Sequence, residues 1–116
     1  MASFSLYPPD QLPSAFRYPP EFERIAISGE HSPLGPWWFV DADSDAGRLF
    51  YKVRNQDGRN LVPFAKGDDD IACFDGDDVS GDPAVLMLVL DGSERRYFFK
   101  NFADWLTAAQ QDGRTA

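Results

Sequence analysis

Cysteine and histidine are nearly missing from this chain: there is one of each, Cys73 and His31. A lone cysteine excludes an internal disulfide, and a small secreted domain ordinarily carries an even number of cysteines. Cys73 lies inside the apolar run Ile71-Ala72-Cys73-Phe74. A reactive thiolate needs exposure or positive neighbours, so this thiol is expected to be buried and inert. His31, between Glu30 and Ser32, reads as an exposed loop residue. One histidine and one cysteine do not supply zinc-ligand spacing, and no glycine-rich phosphate loop or dinucleotide fingerprint occurs. No nucleophile stands with a base and an orienting group. The expectation is a protein with no catalytic residue and no cofactor.

Long apolar runs are also missing. The longest, residues 84–90, falls far short of the ~20 residues that cross a bilayer. The first residues lack the basic start and apolar segment of a secretory leader. These absences give a cytoplasmic expectation with no membrane partner.

Basic side chains are absent from one stretch. The chain has 19 acidic and 11 basic residues, a net charge of −8. Residues 68–91 contain eight aspartates (68, 69, 70, 75, 77, 78, 82 and 91) and no Lys or Arg. Acids and bases cancel in the remainder, so the net charge resides in that segment. Phosphate backbones would be repelled there, which argues against nucleic acid. A basic protein partner would be attracted over long range. The simpler reading, acidic turns that keep a small domain soluble, stands beside it.

What is present is material for a core. The 116 residues are 43% hydrophobic and 15% aromatic, enough for one folded domain and unlike a disordered chain. Residues 1–18 form a proline-rich arm, with a turn near residues 11–16, whose Phe4, Leu6, Tyr7, Leu12, Phe16 and Tyr18 are expected to pack on the body. The domain proper covers residues 19–112, and 113–116 are a tail. Pro19-Pro20-Glu21 starts a helix, with Phe22 and Ile25-Ala26 at helical spacing and Gly29 as its stop. Strands are expected over residues 37–40, 49–53 and 70–74, and a short strand or loop over 60–65, with polar turns at 41–47 and 55–58. Pro63 marks an edge or a bulge, because proline cannot donate to a ladder. The run 84–90, apolar on both sides, is expected to be central in the sheet. Asp91-Gly92 makes a hairpin turn to a return strand over 93–100. Asn101 caps a last helix with Phe102, Trp105, Leu106 and Ala109 on one stripe, stopped by Gly113. The pattern is α+β: a twisted, mainly antiparallel sheet with helices packed on one side.

The block Asn60-Leu61-Val62-Pro63-Phe64-Ala65, followed by Asp69-Asp70-Ile71-Ala72-Cys73-Phe74-Asp75, resembles the centre of SUKH domains. The apolar arm 85–90, the Phe102-Ala103-Asp104-Trp105-Leu106 helix and the Pro-Pro-Glu-Phe opening are similar to later and earlier parts of that family's pattern. The resemblance spans roughly residues 19–107. It implies a SUKH-like α+β domain. It also implies a bacterial immunity protein that binds and blocks a polymorphic toxin, commonly a nuclease, although other members have no toxin partner.

The candidate partner-binding residues are therefore Asp68, Asp69, Asp70, Asp75, Asp77, Asp78 and Trp38. Nuclease domains are basic because they grip phosphates, so aspartates can match them, and an exposed aromatic can anchor the contact. Adjacent strand residues face opposite sides, so Trp37 and Trp38 are expected to differ, one inside and one exposed. The same aspartates suit calcium by type, but they lack the order of a calcium loop, and Leu86 stands where its glutamate would be. No metal site is assigned. A calcium-dependent or housekeeping small-ligand or protein-binding module is the alternative function. The sequence carries no signal for oligomeric state.

Overall fold

The computed structural model describes residues 3–31, 34–55, 58–67, 70–89 and 97–115. Asp68, Asp69 and the expected turn at Asp91-Gly92 lie outside them. Helix α1 (Pro20–Ser28) opens with proline at its first position and two acids in its first turn, and Gly29 ends it at φ 72°, its N–H returning to the Ile25 carbonyl. Proline fits where no backbone donor is needed, and glycine takes the left-handed conformation without strain.

Strand β1 (Trp38–Phe39), helix α2 (Asp45–Lys52), strands β2 (Leu61–Lys66), β3 (Asp70–Asp75), β4 (Val85–Val89) and β5 (Phe98–Phe99), and helix α3 (Phe102–Thr115) follow. The five strands form one antiparallel sheet in the order β1-β2-β3-β4-β5. This is the α+β architecture expected.

The sheet has two unequal faces. Phe74 on β3, Val85 and Met87 on β4, and Val62 and Phe64 on β2 meet Phe22 and Ile25 of α1 and Phe102, Trp105, Leu106 and Ala109 of α3 in the main core. The α3 stripe is the one its spacing predicts, and Asn101 caps it by accepting the Asp104 N–H at 3.0 Å. The other face gathers Leu61, Ile71, Cys73 and Leu88, with Phe50 of α2 against them. Four consecutive β3 residues, Ile71 to Phe74, are 0% exposed. Strands β2 and β3 are each buried over five consecutive residues and so are covered on both sides. The run 84–90, read as central, gives β4, interior between β3 and the two-residue β5; its Met87 joins the main core and its Leu88 the smaller cluster, while Leu86 and Val89 are half-buried.

Pro63 does mark a bulge. The register with β3 shifts between Pro63 and Ala65. The extra residue places Phe64 and Ala65 together in the main core, where strict alternation would separate them. Phe64 there stacks on Phe74 at 4.2 Å between ring centroids.

Three further expectations are corrected. Residues 49–53, read as a strand, lie largely in α2, and the turn read at 41–47 gives way to helix from Asp45. The reason is local: the Ser44 side chain accepts the Gly47 N–H at 2.9 Å, and Asp45 and Lys52 complement the helix dipole. Half-buried Ala46, Phe50 and Val53 then fall at i, i+4 and i+7. Gly113 does not stop α3, which runs through it to Thr115; a single glycine weakens a helix without ending it.

The arm packs on the body, as its aromatics predict. Tyr7, Phe16 and Tyr18 are buried in the main core. Backbone bonds tie Phe4 to Ala26 and Ala42 to Ser5. The radius of gyration, 13.2 Å, matches the roughly 13 Å of a compact domain of this length.

Candidate functional site

The described aspartates of residues 70–82 divide between the two ends of β3, about 17 Å apart at the rise of an extended strand. At its first residue, Asp70 is buried, 8% exposed, and its carboxylate accepts the Tyr97 hydroxyl. Trp38 belongs to this end, since it pairs with Lys66, which pairs with Ile71. Trp38 is the exposed member of the tryptophan pair, 46% accessible, and its ring lies near Phe50. Trp37 packs edge-on against Trp105 at 5.5 Å.

At the far end of β3, the loop to β4 gathers Asp75, Asp77, Asp78 and Asp82. The chain builds this loop from short side chains that bond their own backbone. Asp75 accepts the Asp77 N–H at 3.0 Å, and Ser80 accepts the Asp82 N–H at 3.1 Å. Asp78 accepts the Ser80 N–H at 3.0 Å and the Ala84 N–H at 3.1 Å. The Ser80 hydroxyl and these amides hold its carboxyl below the usual aspartate range. Asn60 donates to Asp77 at 3.2 Å and Asn101 to Asp82 at 3.1 Å. The loop is therefore braced from the start of β2 and from the cap of α3. Asp77 and Asp82 stay exposed, as does Val79 between them, 58% accessible. A carboxylate has about four acceptor positions, so these braces leave capacity for a partner.

Beside the loop runs an open trough of about 900 Å³. Tyr7, Leu12, Pro13, Phe16, Tyr18 and Gly81 are among the residues that line it. The arm and the loop meet at Gly76, where a Cβ would lie 2.8 Å from Pro13 Cγ and 2.4 Å from the Asn60 carbonyl oxygen. Burial pushes the Tyr7 and Tyr18 hydroxyls far above their usual titration range. Tyr7 donates to the Gly47 carbonyl at 2.5 Å, and Tyr51 donates to the Gln11 carbonyl.

Among the described residues, no three His, Cys, Asp or Glu side chains converge so as to hold a metal ion. None of the described helices is long and apolar enough to cross a membrane. Cys73 is buried in the smaller core cluster, its thiol donating weakly to the Ile71 carbonyl. His31 packs edge-on against Phe39 of β1, which joins the main core. The two residues thus belong to opposite faces of the sheet.

Sequence reasoning did not find the trough or the exposure of Val79 beside Asp82 at the loop surface. The prolines and tyrosines of the arm were visible, but the surface they make depends on contacts with residues far along the chain. No protein-family model, curated protein or solved structure matches the chain.

Proposed function

We propose that this chain is a non-catalytic, cytoplasmic binding protein of the immunity type, which neutralises a basic toxin domain by stoichiometric binding. The observation that carries the reading is the braced loop, which presents Asp75, Asp77, Asp78 and Asp82 together at one end of the sheet. Fixed carboxylates lose little freedom when a cation docks, and they speed encounter with a positive surface. Exposed Val79 gives the acidic surface an apolar contact. The burial of Cys73, on the sheet face opposite the one His31 packs toward, supports binding over catalysis. The likeness of the central block to SUKH domains supplies the class of partner, a nuclease whose own phosphate-gripping surface is basic.

The test is capture from a lysate of the native host with the tagged full chain, at low and at high salt. The expected result is one basic protein in near-equal amount at low salt, released by high salt and not captured by Asp77→Lys with Val79→Lys. Capture that ignores both salt and the double substitution overturns the reading.

A further inference from the structure

Residues 8–15 of the arm are held differently from the residues on either side of them. Tyr7, Phe16 and Tyr18 are buried in the main core. The Tyr7 N–H also donates to the Tyr18 hydroxyl at 3.3 Å, so the two ends of the segment are clasped together. Between these anchors Pro8, Pro9, Asp10, Gln11, Ser14 and Ala15 are exposed. A surface segment that leaves the body and returns to a joined base is a loop of the Ω type.

The bonds within this loop are local. Pro8, Pro9 and Pro13 have no N–H to donate. The Gln11, Leu12 and Phe16 N–H groups turn back to the carbonyls of Pro8, Pro9 and Pro13, at 2.9, 3.3 and 3.1 Å. The loop reaches the body through half-buried Leu12 at the margin of the main core, and through the Tyr51 hydroxyl, which donates to the Gln11 carbonyl. It also reaches it through Pro13, whose Cγ would stand 2.8 Å from a Cβ on Gly76. On both sides the loop borders open space. The trough of about 900 Å³ lies between it and Glu23 of α1 with Gly81. A second hollow, of about 420 Å³, lies between it and Arg48, Tyr51 and Lys52 of α2. Ala15, in the returning limb, has φ of 67°, a conformation that strains a residue with a Cβ. Exposed side chains, local hydrogen bonds and a strained turn place a segment at the low end of local stability.

We infer that residues 8–15 are a hinged flap, closed in this structure, which opens as one unit about Tyr7 and Phe16 while the sheet and helices stay folded. Opening gives up the Tyr51 bond, lifts Pro13 from Gly76, relaxes Ala15 and joins the two hollows into one cleft. The anchors stay behind, because Phe16 and Tyr18 remain packed on Phe74. Gly76 belongs to the acidic loop, so the closed flap is also a stop against that loop. The device is a property of the free chain and needs no partner.

Amide hydrogen exchange of the full chain, read residue by residue by NMR over low concentrations of urea, tests the flap. The Gln11, Leu12 and Phe16 amides should share one opening free energy, be about tenfold or more less protected than the amides of β3, and ignore urea. The β3 amides should follow urea, because only global unfolding exposes the central strand. Tyr51→Phe should speed the three flap amides about twofold to tenfold. Ala15→Gly should slow them by up to about fivefold. Ile71→Val, in the cluster on the other face of the sheet, should speed the β3 amides about twofold to tenfold and leave the flap amides unchanged. Flap amides that match β3 in rate and urea dependence, or that accelerate with β3 in Ile71→Val, overturn the flap. Three unequal opening free energies overturn its motion as one unit. The urea dependence of the parent decides the matter if Ile71→Val does not fold. None of these readouts involves a captured protein, so the flap and the proposed function fail separately.

Discussion

The hydroxyl of Tyr7 reaches the carbonyl of Gly47, 40 residues away in sequence, and so holds the arm to α2. Tyr7→Phe keeps the ring and removes that buried hydrogen bond. We expect a loss of about 1–2 kcal/mol in urea unfolding. Tyr7 and Tyr18 also link stability to alkaline pH. Burial raises both folded-state pKa values, so the folded protein holds these protons after the unfolded chain has lost them. Their stabilisation is complete below the unfolded value near pH 10 and falls as pH rises beyond it. The urea midpoint should drop above about pH 10, and Tyr7→Phe with Tyr18→Phe should flatten that drop relative to the parent. Ala15 is the one described non-glycine residue with positive φ, 67°. Ala15→Gly relieves a conformation that disfavours a Cβ, and should raise stability by up to about 1 kcal/mol in the same assay.

At the scale of elements, α2 shows how a short cap overrides side-chain preference. Leu49-Phe50-Tyr51 has strand character, but Ser44 closes a helical turn ahead of it, accepting from Gly47 and donating to Asp41. Ser44→Ala should lower stability by about 1 kcal/mol. Gly47→Ala should do more harm, about 1–3 kcal/mol, because its Cβ would stand 2.0 Å from the Asp41 carbonyl oxygen. Thermal unfolding of the two variants checks that order. Elements whose local signals agree were legible in the sequence: α1 from Pro20 and Gly29, β3 from its apolar run, α3 from the stripe of Phe102, Trp105, Leu106 and Ala109. Where signals competed, the reading failed. The aromatic content of 49–51 concealed the Ser44 cap. The acidic loop was legible as charge, but its bracing by Asn60 and Asn101 was not, because both lie far from it in sequence.

For the whole molecule, charge and architecture coincide. The net charge of −8 is carried by residues 68–91. Among the described residues Asp75, Asp77, Asp78 and Asp82 gather at the far end of β3 while Asp70 is buried at its start, so the exposed acids described there lie toward the loop end of the sheet. Association with a basic partner should slow about tenfold or more as ionic strength rises from low to physiological, where screening sets in within about 8 Å. Stopped-flow mixing with the captured partner measures this, and a rate insensitive to salt would contradict it. The arm gives the molecule a different property, one of timing. Phe16 and Tyr18 rest on Phe74, about sixty residues later in the chain, a delay of roughly 3–12 s at ordinary rates of synthesis. Through that interval these rings have each other and Phe22 to pack on but not the sheet surface they finally cover. A nascent chain halted before Phe74 therefore presents Phe16 and Tyr18 to chaperones, and this domain completes its folding only after most of it has left the ribosome.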